Sequence, residues 1–335
     1  MRKLKFFIAA LAVCACCFTG GVVRVSAAEE NAYYLGGMTA GFLLNAGGVQ
    51  VIGLNEVVAE DGIYRPAERA GIRTGDTICA IDGISVKNID ELNMLLAKSG
   101  GKSVKVKVKR QGDTAEVEIS PVKEKKSGKY KIGVLIRDTL SGIGTVTYIE
   151  KETRRFGALG HGVTDENHES MQISDAKVYL CSVIGVNKGE RGKAGELRGL
   201  FLNDKTVGTA EKVCKTGLYG TFDAEYDFSQ LETIAIAPVS EATIGKAVIY
   251  STVNGVCPQK YEIAIAKVDA GNRENKNFVI KVTDERLIDE TGGVVQGMSG
   301  SPIVQNGKLI GAVTHVFLND PTRGYGIAIE HMICE

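Results

Sequence analysis

The chain has 335 residues, with 40 Lys and Arg balanced by 40 Asp and Glu and 44% hydrophobic content, which suits two globular domains and excludes a multispan membrane protein or a charged disordered tail. Zero formal net charge leaves no basic footprint for nucleic acid, and 6% aromatics without Trp exclude a stacking platform for bases or sugars. Glycine (41) far outnumbers proline (6), the balance of a β-rich chain with tight turns.

Residues 1–28 read as a signal peptide or signal anchor. Arg2, Lys3 and Lys5 form a basic start, Phe6 to Val23 carry no charge, and Val25-Ser26-Ala27 supply small residues at a cleavage position. The run is long enough to span a bilayer, although Gly20-Gly21 weakens it as a stable membrane helix. Cys14, Cys16 and Cys17 lack a lipidation pattern. The expected localisation is export across the cytoplasmic membrane, with the chain either secreted or anchored to the membrane by this segment. The other five cysteines (Cys79, Cys181, Cys214, Cys257, Cys334) are scattered, without CxxC or zinc spacing, and read as isolated thiols.

From Tyr33 to Val122 the pattern mixes strands and short helices. Val49 to Ile52 and Thr77 to Ile81 read as strands. Pro66 to Gly71 reads as one helical turn, started by Pro and stopped by Gly. Asp82-Gly83 is a tight-turn pair. Ile89 to Ala97 places apolar residues at helical spacing, with Asp90 and Glu91 favouring the helix dipole. Ser103 to Lys109 alternates strictly and faces Ala115 to Ile119 across Gln111-Gly112-Asp113. This predicts a hairpin with valines inward and lysines opposite glutamates. The stretch from Pro66 to Gly83, PAERAGIRTGDTICAIDG, resembles the core of a PDZ domain. The resemblance implies an α+β domain over residues 33–122 that captures a peptide as an added strand. It also implies a carboxylate-holding loop at Thr39-Ala40-Gly41-Phe42, where Ala40 replaces the usual leucine. The charged stretch Lys123 to Lys129 reads as an exposed linker.

Residues 130–335 read as many short strands: Ile132–Ile136, Thr145–Ile149, Lys177–Ile184, Lys246–Ser251, Glu262–Lys267, Phe278–Val282, Leu309–Thr314 and Gly326–Ile329. Weak helical periodicity and Gly-rich turns suit a double barrel or a sandwich. The sharpest signal is Gly297-Met298-Ser299-Gly300-Ser301-Pro302, followed by a strand, a turn at Gly307 and a second strand. Small residues around Ser299 permit a turn that exposes a nucleophilic oxygen, and the N–H groups of Gly297 and Ser299 are the candidate oxyanion donors. The region resembles the serine loop of chymotrypsin-like peptidases. Of the 4 histidines, His161 ends an apolar, small-residue run and is the best general base; His168 lies in a polar loop, His315 reads as structural, and His331 is near the C-terminus. The orienting carboxylate is open between Asp284 at a strand end, Asp165 near His161, and Asp289 in a loop.

His161, Asp165, His168 and Glu169 lack zinc-site spacing, and no phosphate-binding loop or dinucleotide fingerprint occurs, so no metal or cofactor is expected. The order of export segment, PDZ and serine motif resembles the stage IV sporulation protein B peptidase family of endospore formers. Further matching stretches are Ile143–Thr147, Lys188–Leu197, Thr291–Gln296 and Asn319–Gly326. The resemblance implies a mainly β chain, a PDZ domain followed by a chymotrypsin-like double β-barrel, with His161, Asp284 and Ser299 as a catalytic triad. It also implies a forespore protein exported into the intermembrane space and acting as a signalling endopeptidase. Its expected substrate is the extracytoplasmic segment of a membrane-bound regulator, which restrains an intramembrane protease that processes a late sigma factor. Self-cleavage near the N-terminus and a PDZ ligand peptide complete the expectation, with no nucleic-acid partner. The alternatives are a peptide-binding scaffold with an inactive protease domain and a general quality-control protease, whose usual order of protease before PDZ is reversed here.

Overall fold

A computed structural model of the chain describes residues 32–110, 112–163, 175–202 and 205–334. Residues 1–28, where an export segment is expected, and Asp165, His168 and Glu169 lie outside the described residues. Within them, no helix is long and apolar enough to cross a membrane.

The first structural layer is a closed barrel. Strand β1 is Tyr33–Leu35 and β2 is Thr39–Leu54. Later strands are β6 (Val134–Glu150), β7 (Arg155–Ala158), β8 (Asp175–Asn187), β9 (Glu196–Phe201), β10 (Gly208–Cys214) and β11 (Gly217–Phe222). Antiparallel pairing runs β2–β6–β7–β11–β10–β8 and back to β2, which closes the ring. Closure removes the free edges that a sheet otherwise exposes. The interior is filled by alternate residues of these strands, among them Ala40, Phe42, Leu44, Val146, Phe156, Val178 and Leu218.

A second barrel follows. Its strands are β12 (Gly245–Ser251), β13 (Gln259–Val268), β14 (Phe278–Val282), β15 (Pro302–Gln305), β16 (Lys308–Phe317) and β17 (Asp320–Ala328). The ring runs β12–β13–β14–β17–β16–β15 and returns to β12. Ile249, Tyr261, Ile263, Phe278, Ile280, Ile303 and Val313 form its core. Two short helices fall in this region without a helical signature in the sequence: α3 (Glu285–Thr291) and α4 (Ile329–Ile333).

The PDZ-like unit grows out of the first barrel. It contains α1 (Pro66–Arg69), β3 (Thr77–Ile81), α2 (Ile89–Ser99), β4 (Val104–Arg110) and β5 (Asp113–Ile119). The local predictions hold. Pro66 opens α1; Asn88 caps α2 by accepting from Glu91 N at 2.9 Å, and Gly100 ends it in the left-handed conformation. Asp82 and Gly83 both take positive φ, and Lys105 and Lys107 pair with Glu118 and Glu116 across the hairpin. Val104, Val106 and Val108 point inward against Leu92, Leu95 and Leu96.

Two expectations about this unit change. Residues 123–129, expected as an exposed linker, are mostly exposed but form an ordered turn: Val122–Lys123 pairs with Tyr130–Lys131, and Glu124 N donates to Lys129 O at 2.9 Å. Residues 33–45 do not belong to the PDZ-like unit either. Strand β2 starts inside the barrel and runs outward, with β6 antiparallel beside it from Thr145↔Thr39 to Val134↔Leu54. The PDZ-like unit therefore sits on a two-stranded ribbon continuous with the barrel, inserted between β2 and β6.

This arrangement overturns the carboxylate loop expected at Ala40, Gly41 and Phe42. Gly41 is paired on both sides, with Ile143 of β6 and Tyr179 of β8, so its backbone is consumed by the sheet. A Cβ at Gly41 would lie 2.2 Å from the Phe201 ring, so glycine is required there by packing. In the PDZ-like half, β2 is also paired on both edges: Gln50 with Thr77 of β3, and Gln50, Val51, Gly53 and Leu54 with Arg137, Ile136, Leu135 and Val134 of β6. The edge that a strand-adding ligand would use is occupied by β6.

Candidate active site

Ser299 stands on a loop between α3 and β15 that folds back sharply because Gly297 and Gly300 adopt φ of +96° and +93°. Any side chain at Gly300 would meet the Thr145 carbonyl at 2.0 Å. Both barrels hold the loop. From β6, Thr145 N donates to Ser299 O at 2.9 Å, Thr145 Oγ1 to Gly297 O at 2.8 Å and Thr147 Oγ1 to Gly300 O at 2.7 Å. From the second barrel, Gly300 N donates to Val313 O at 2.8 Å, and Val313 N to Ser301 O at 2.9 Å. With these bonds made, the N–H groups of Gly297 and Ser299 have no hydrogen-bond partner among the described residues. Two free donors two positions apart on a fixed turn are the arrangement that stabilises a developing oxyanion.

His161 follows β7 after an abrupt turn in which Leu159 and Gly160 take φ of +71° and +69°. A positive φ at a branched residue is a strained conformation, held here by Leu159 N donating to Thr145 O at 3.2 Å and by packing of Gly160 against Ile327 and Thr314. The turn delivers the imidazole to the barrel junction. His161 Nδ1 lies 2.8 Å from Gly162 O. A carbonyl only accepts, so Nδ1 carries the proton and Nε2 keeps the lone pair that a general base needs. Burial lowers the His161 pKa, with the Gly162 carbonyl opposing that shift, so the ring is neutral at physiological pH.

His161 and Ser299 line one cavity of about 500 Å³, together with Gly297, Thr314 and His315. The Ser299 hydroxyl donates to Thr314 O at 2.8 Å, a resting orientation from which rotation about χ1 redirects Oγ. His315, read from the sequence as structural, lies against His161 with ring centroids 4.8 Å apart and the rings tilted by 40°. Its pKa is pushed down to about 4 by burial of its inner face, then by the charge of His161 and of Lys276. The signal that could have placed it is its position in β16, directly after Thr314, whose carbonyl receives the serine.

The expected orienting role of Asp284 is not met in this geometry. Asp284 is the N-cap of α3: it accepts from Arg286 N at 3.1 Å, from the Arg286 guanidinium at 3.0 and 2.8 Å, and from Glu262 N at 3.2 Å. The Arg286 hydrogen bonds, ahead of opposing burial, hold its pKa down at about 2. It does not line the cavity, and the His161 nitrogen it was expected to engage is taken by Gly162 O. The physical reason lies in the segment from β14 through α3 to the serine loop. Asp284 is spent on starting that helix, whereas His161 lies across the junction on the first barrel. Asp289 is an exposed residue of α3, and its carbonyl accepts from Lys188 Nζ. Asp165 lies outside the described residues. Phe42, expected in a peptide-capture loop, instead lines this cavity.

Two closed six-stranded barrels, with a serine loop and a histidine facing one cavity at their junction, define a chymotrypsin-like peptidase fold. The model of the SpoIVB peptidase S55 family matches residues 128–333, and a PDZ-domain model matches residues 65–110. The chain belongs to the SpoIVB peptidase S55 family. Among curated proteins, one of Clostridium acetobutylicum named as a zinc metalloprotease is 27% identical over 114 residues, 32% of this chain and 34% of the relative. One of Lactococcus lactis with the same designation is 26% identical over 145 residues, 37% of this chain and 33% of the relative. The chain thus spans about a third of the length of the curated relatives it matches. Among solved structures, the PDZ domain of an SdrC-like protein of Listeria monocytogenes is 27% identical, covering 28% of this chain and 90% of that one, at a TM-score of 0.23. The inactive form of the Rv3671c protease of Mycobacterium tuberculosis is 16% identical, covering 58% of this chain and 82% of that one, at a TM-score of 0.30.

Proposed function

We propose that this chain is a serine endopeptidase in which Ser299 is the nucleophile and His161 the general base. The observation that carries the reading is the convergence, in one cavity, of Ser299, a His161 tautomer whose Nε2 keeps its lone pair, and the N–H groups of Gly297 and Ser299, which have no partner among the described residues. Ser299 Oγ attacks the substrate carbonyl carbon as Nε2 takes the hydroxyl proton. The carbonyl electron pair moves onto oxygen between the two N–H donors. Collapse breaks the C–N bond, and Nε2 returns the proton to the leaving amine. Water then repeats the sequence on the acyl-enzyme. The Gly162 carbonyl holds Nδ1–H, and a further orienting carboxylate is assigned to neither Asp284 nor Asp165.

Family membership and the basic-then-apolar N-terminus support a finer reading. The chain is exported from the forespore during endospore formation and remains secreted or membrane-anchored. It cuts the extracytoplasmic segment of a membrane-bound regulator of an intramembrane protease that processes a late sigma factor, and it cuts itself near its N-terminus. A non-catalytic, peptide-binding scaffold draws support from one observation, the Ser299 hydroxyl turned to Thr314 O. Intact mass of the full chain over time, wild type beside Ser299→Ala, separates the two. Fragments that arise only in the wild type establish the peptidase and map its cut sites. Two chains that both stay whole, and that also leave an added regulator ectodomain uncut, establish the scaffold.

A further inference from the structure

We infer that the cavity beside Ser299 is a specificity pocket for an uncharged, apolar side chain, carried by the residue on the N-terminal side of the cleaved bond. The inference rests on the peptidase reading and names its substrate class. Three facts support it. The walls that flank the serine loop are Val294 and Val295 on the segment entering it, and Val316 and Leu318 on and beyond β16, with Ile143 and Leu159 facing them from the first barrel. No Asp, Glu, Lys or Arg lines the cavity among the described residues. Of the polar groups present, Ser299 and His161 serve the chemistry, Thr314 O receives the resting serine hydroxyl and the Gly297 N–H serves the oxyanion, while Gln296 and His315 add no fixed charge.

A pocket of this composition discriminates through desolvation. An apolar substrate side chain leaves water and gains contact with valine and leucine surfaces. An ionised Lys, Arg, Asp or Glu loses its hydration and finds no counter-charge to offset that loss. The nearby imidazoles do not offset it, since burial favours the neutral form of both His161 and His315.

The test uses the full chain and three peptides of one sequence that differ only at the residue before the scissile bond: Leu, Lys or Glu. Wild type and Ser299→Ala are assayed in parallel, with Val316→Asp as a wall variant. The expected result is Ser299-dependent cleavage, with kcat/KM for Leu about a hundredfold or more above Lys and Glu. Val316→Asp is expected to raise the Lys peptide at least about tenfold relative to Leu. Ser299-dependent cleavage that favours Lys or Glu, or treats all three alike, overturns the pocket assignment and leaves the peptidase reading standing. If no peptide is cut, binding of N-acetyl peptides ending in Leu, Lys or Glu to Ser299→Ala decides the pocket separately. Preference for Leu then supports the pocket while the peptidase reading falls, and no preference overturns both.

Discussion

Thr145 grips the Ser299 loop from the opposite barrel, its N–H donating to Ser299 O at 2.9 Å and its hydroxyl to Gly297 O at 2.8 Å. Thr145 is fully buried, and it belongs to β6, the strand whose other end is sheet-paired inside the PDZ-like unit. The carbonyls it holds belong to Gly297 and Ser299 themselves, so it fixes the two residues whose own N–H groups are the candidate oxyanion donors.

Thr145→Val keeps the shape and removes the hydroxyl donor, leaving Gly297 O without that partner. The net loss is about 1 kcal/mol, or roughly fivefold, and it falls on the transition state because the loop supplies the oxyanion donors. The expected outcome is a kcat lower by about that factor with KM nearly unchanged and a cooperative melt retained. An unchanged kcat would show that the loop holds its shape without this bond.

The acid limb of activity belongs to His161. Its folded pKa lies below the usual 6.5, so the base form persists at pH 7, and kcat/KM falls only as the pH drops below that range. Stability follows the same sign. A histidine held neutral by the fold has a depressed folded pKa, and the unfolded chain binds the extra proton first. The stabilising contribution is complete above about 6.5 and is lost as the pH falls towards the folded pKa, about 4 for His315. A melting temperature that declines between pH 6.5 and 4, less steeply in His315→Leu, is the expected record. A decline of equal slope in both chains would remove His315 from the account.

Asp284 acts on the site through α3 in this geometry. Asp284→Ala removes an N-cap and the partner of Arg286, at a cost of about 1–2 kcal/mol in folding stability. Because α3 leads into the serine loop, kcat falls as well, while the pH at which the acid limb of kcat/KM lies stays where His161 sets it. Asp284→Asn retains an oxygen for the cap and recovers part of both losses. A displaced acid limb in either variant would instead place the carboxylate against the imidazole. In the wild type, the stabilisation from Asp284 is lost only between about pH 4 and 2, since its folded pKa is near 2.

Strand β6 covers the PDZ-like edge of β2, and Asp138 pins it to α2 by accepting from Ile89 N at 2.8 Å. Asp138→Ala removes that acceptor at a cost of about 1 kcal/mol. Amide exchange of Val134 to Arg137 is expected to quicken about fivefold, with second-barrel amides unchanged. A peptide with an apolar, carboxylate-terminated end should bind the variant more tightly than the wild type, because it competes with this strand for β2. Equal affinities, measured by fluorescence anisotropy, would show that the edge is not the point of competition.

Much of the local structure was legible in the chain. Capping at Asn88, the Asp82-Gly83 turn and the alternating Lys–Val hairpin are decided by residues within a few positions of one another, where backbone preference and periodicity act directly. The serine loop and His161 were legible for the same reason: a glycine-rich turn and a small-residue strand end are short-range features. The PDZ boundary was not, because strands β2 and β6 alternate similarly whether they line a barrel or a PDZ sheet, and only their pairing says which. Ala40, Gly41 and Phe42 show the consequence. A small-residue stretch compatible with a carboxylate loop becomes a doubly paired barrel strand once β8 closes beside it.

The sequence by itself determined the strands and turns set by local pattern, the presence of a PDZ-like and a peptidase segment, and the serine and histidine that line one cavity at the junction, since each rests on local pattern or on a short motif. Tertiary structure alone decided which groups surround them. It placed Thr145 under the serine loop and His315 against His161, gave His161 a backbone carbonyl as partner, and committed Asp284 to a helix cap. Those contacts join positions far apart in the chain, and barrel closure, which no local pattern encodes, determines which of them meet.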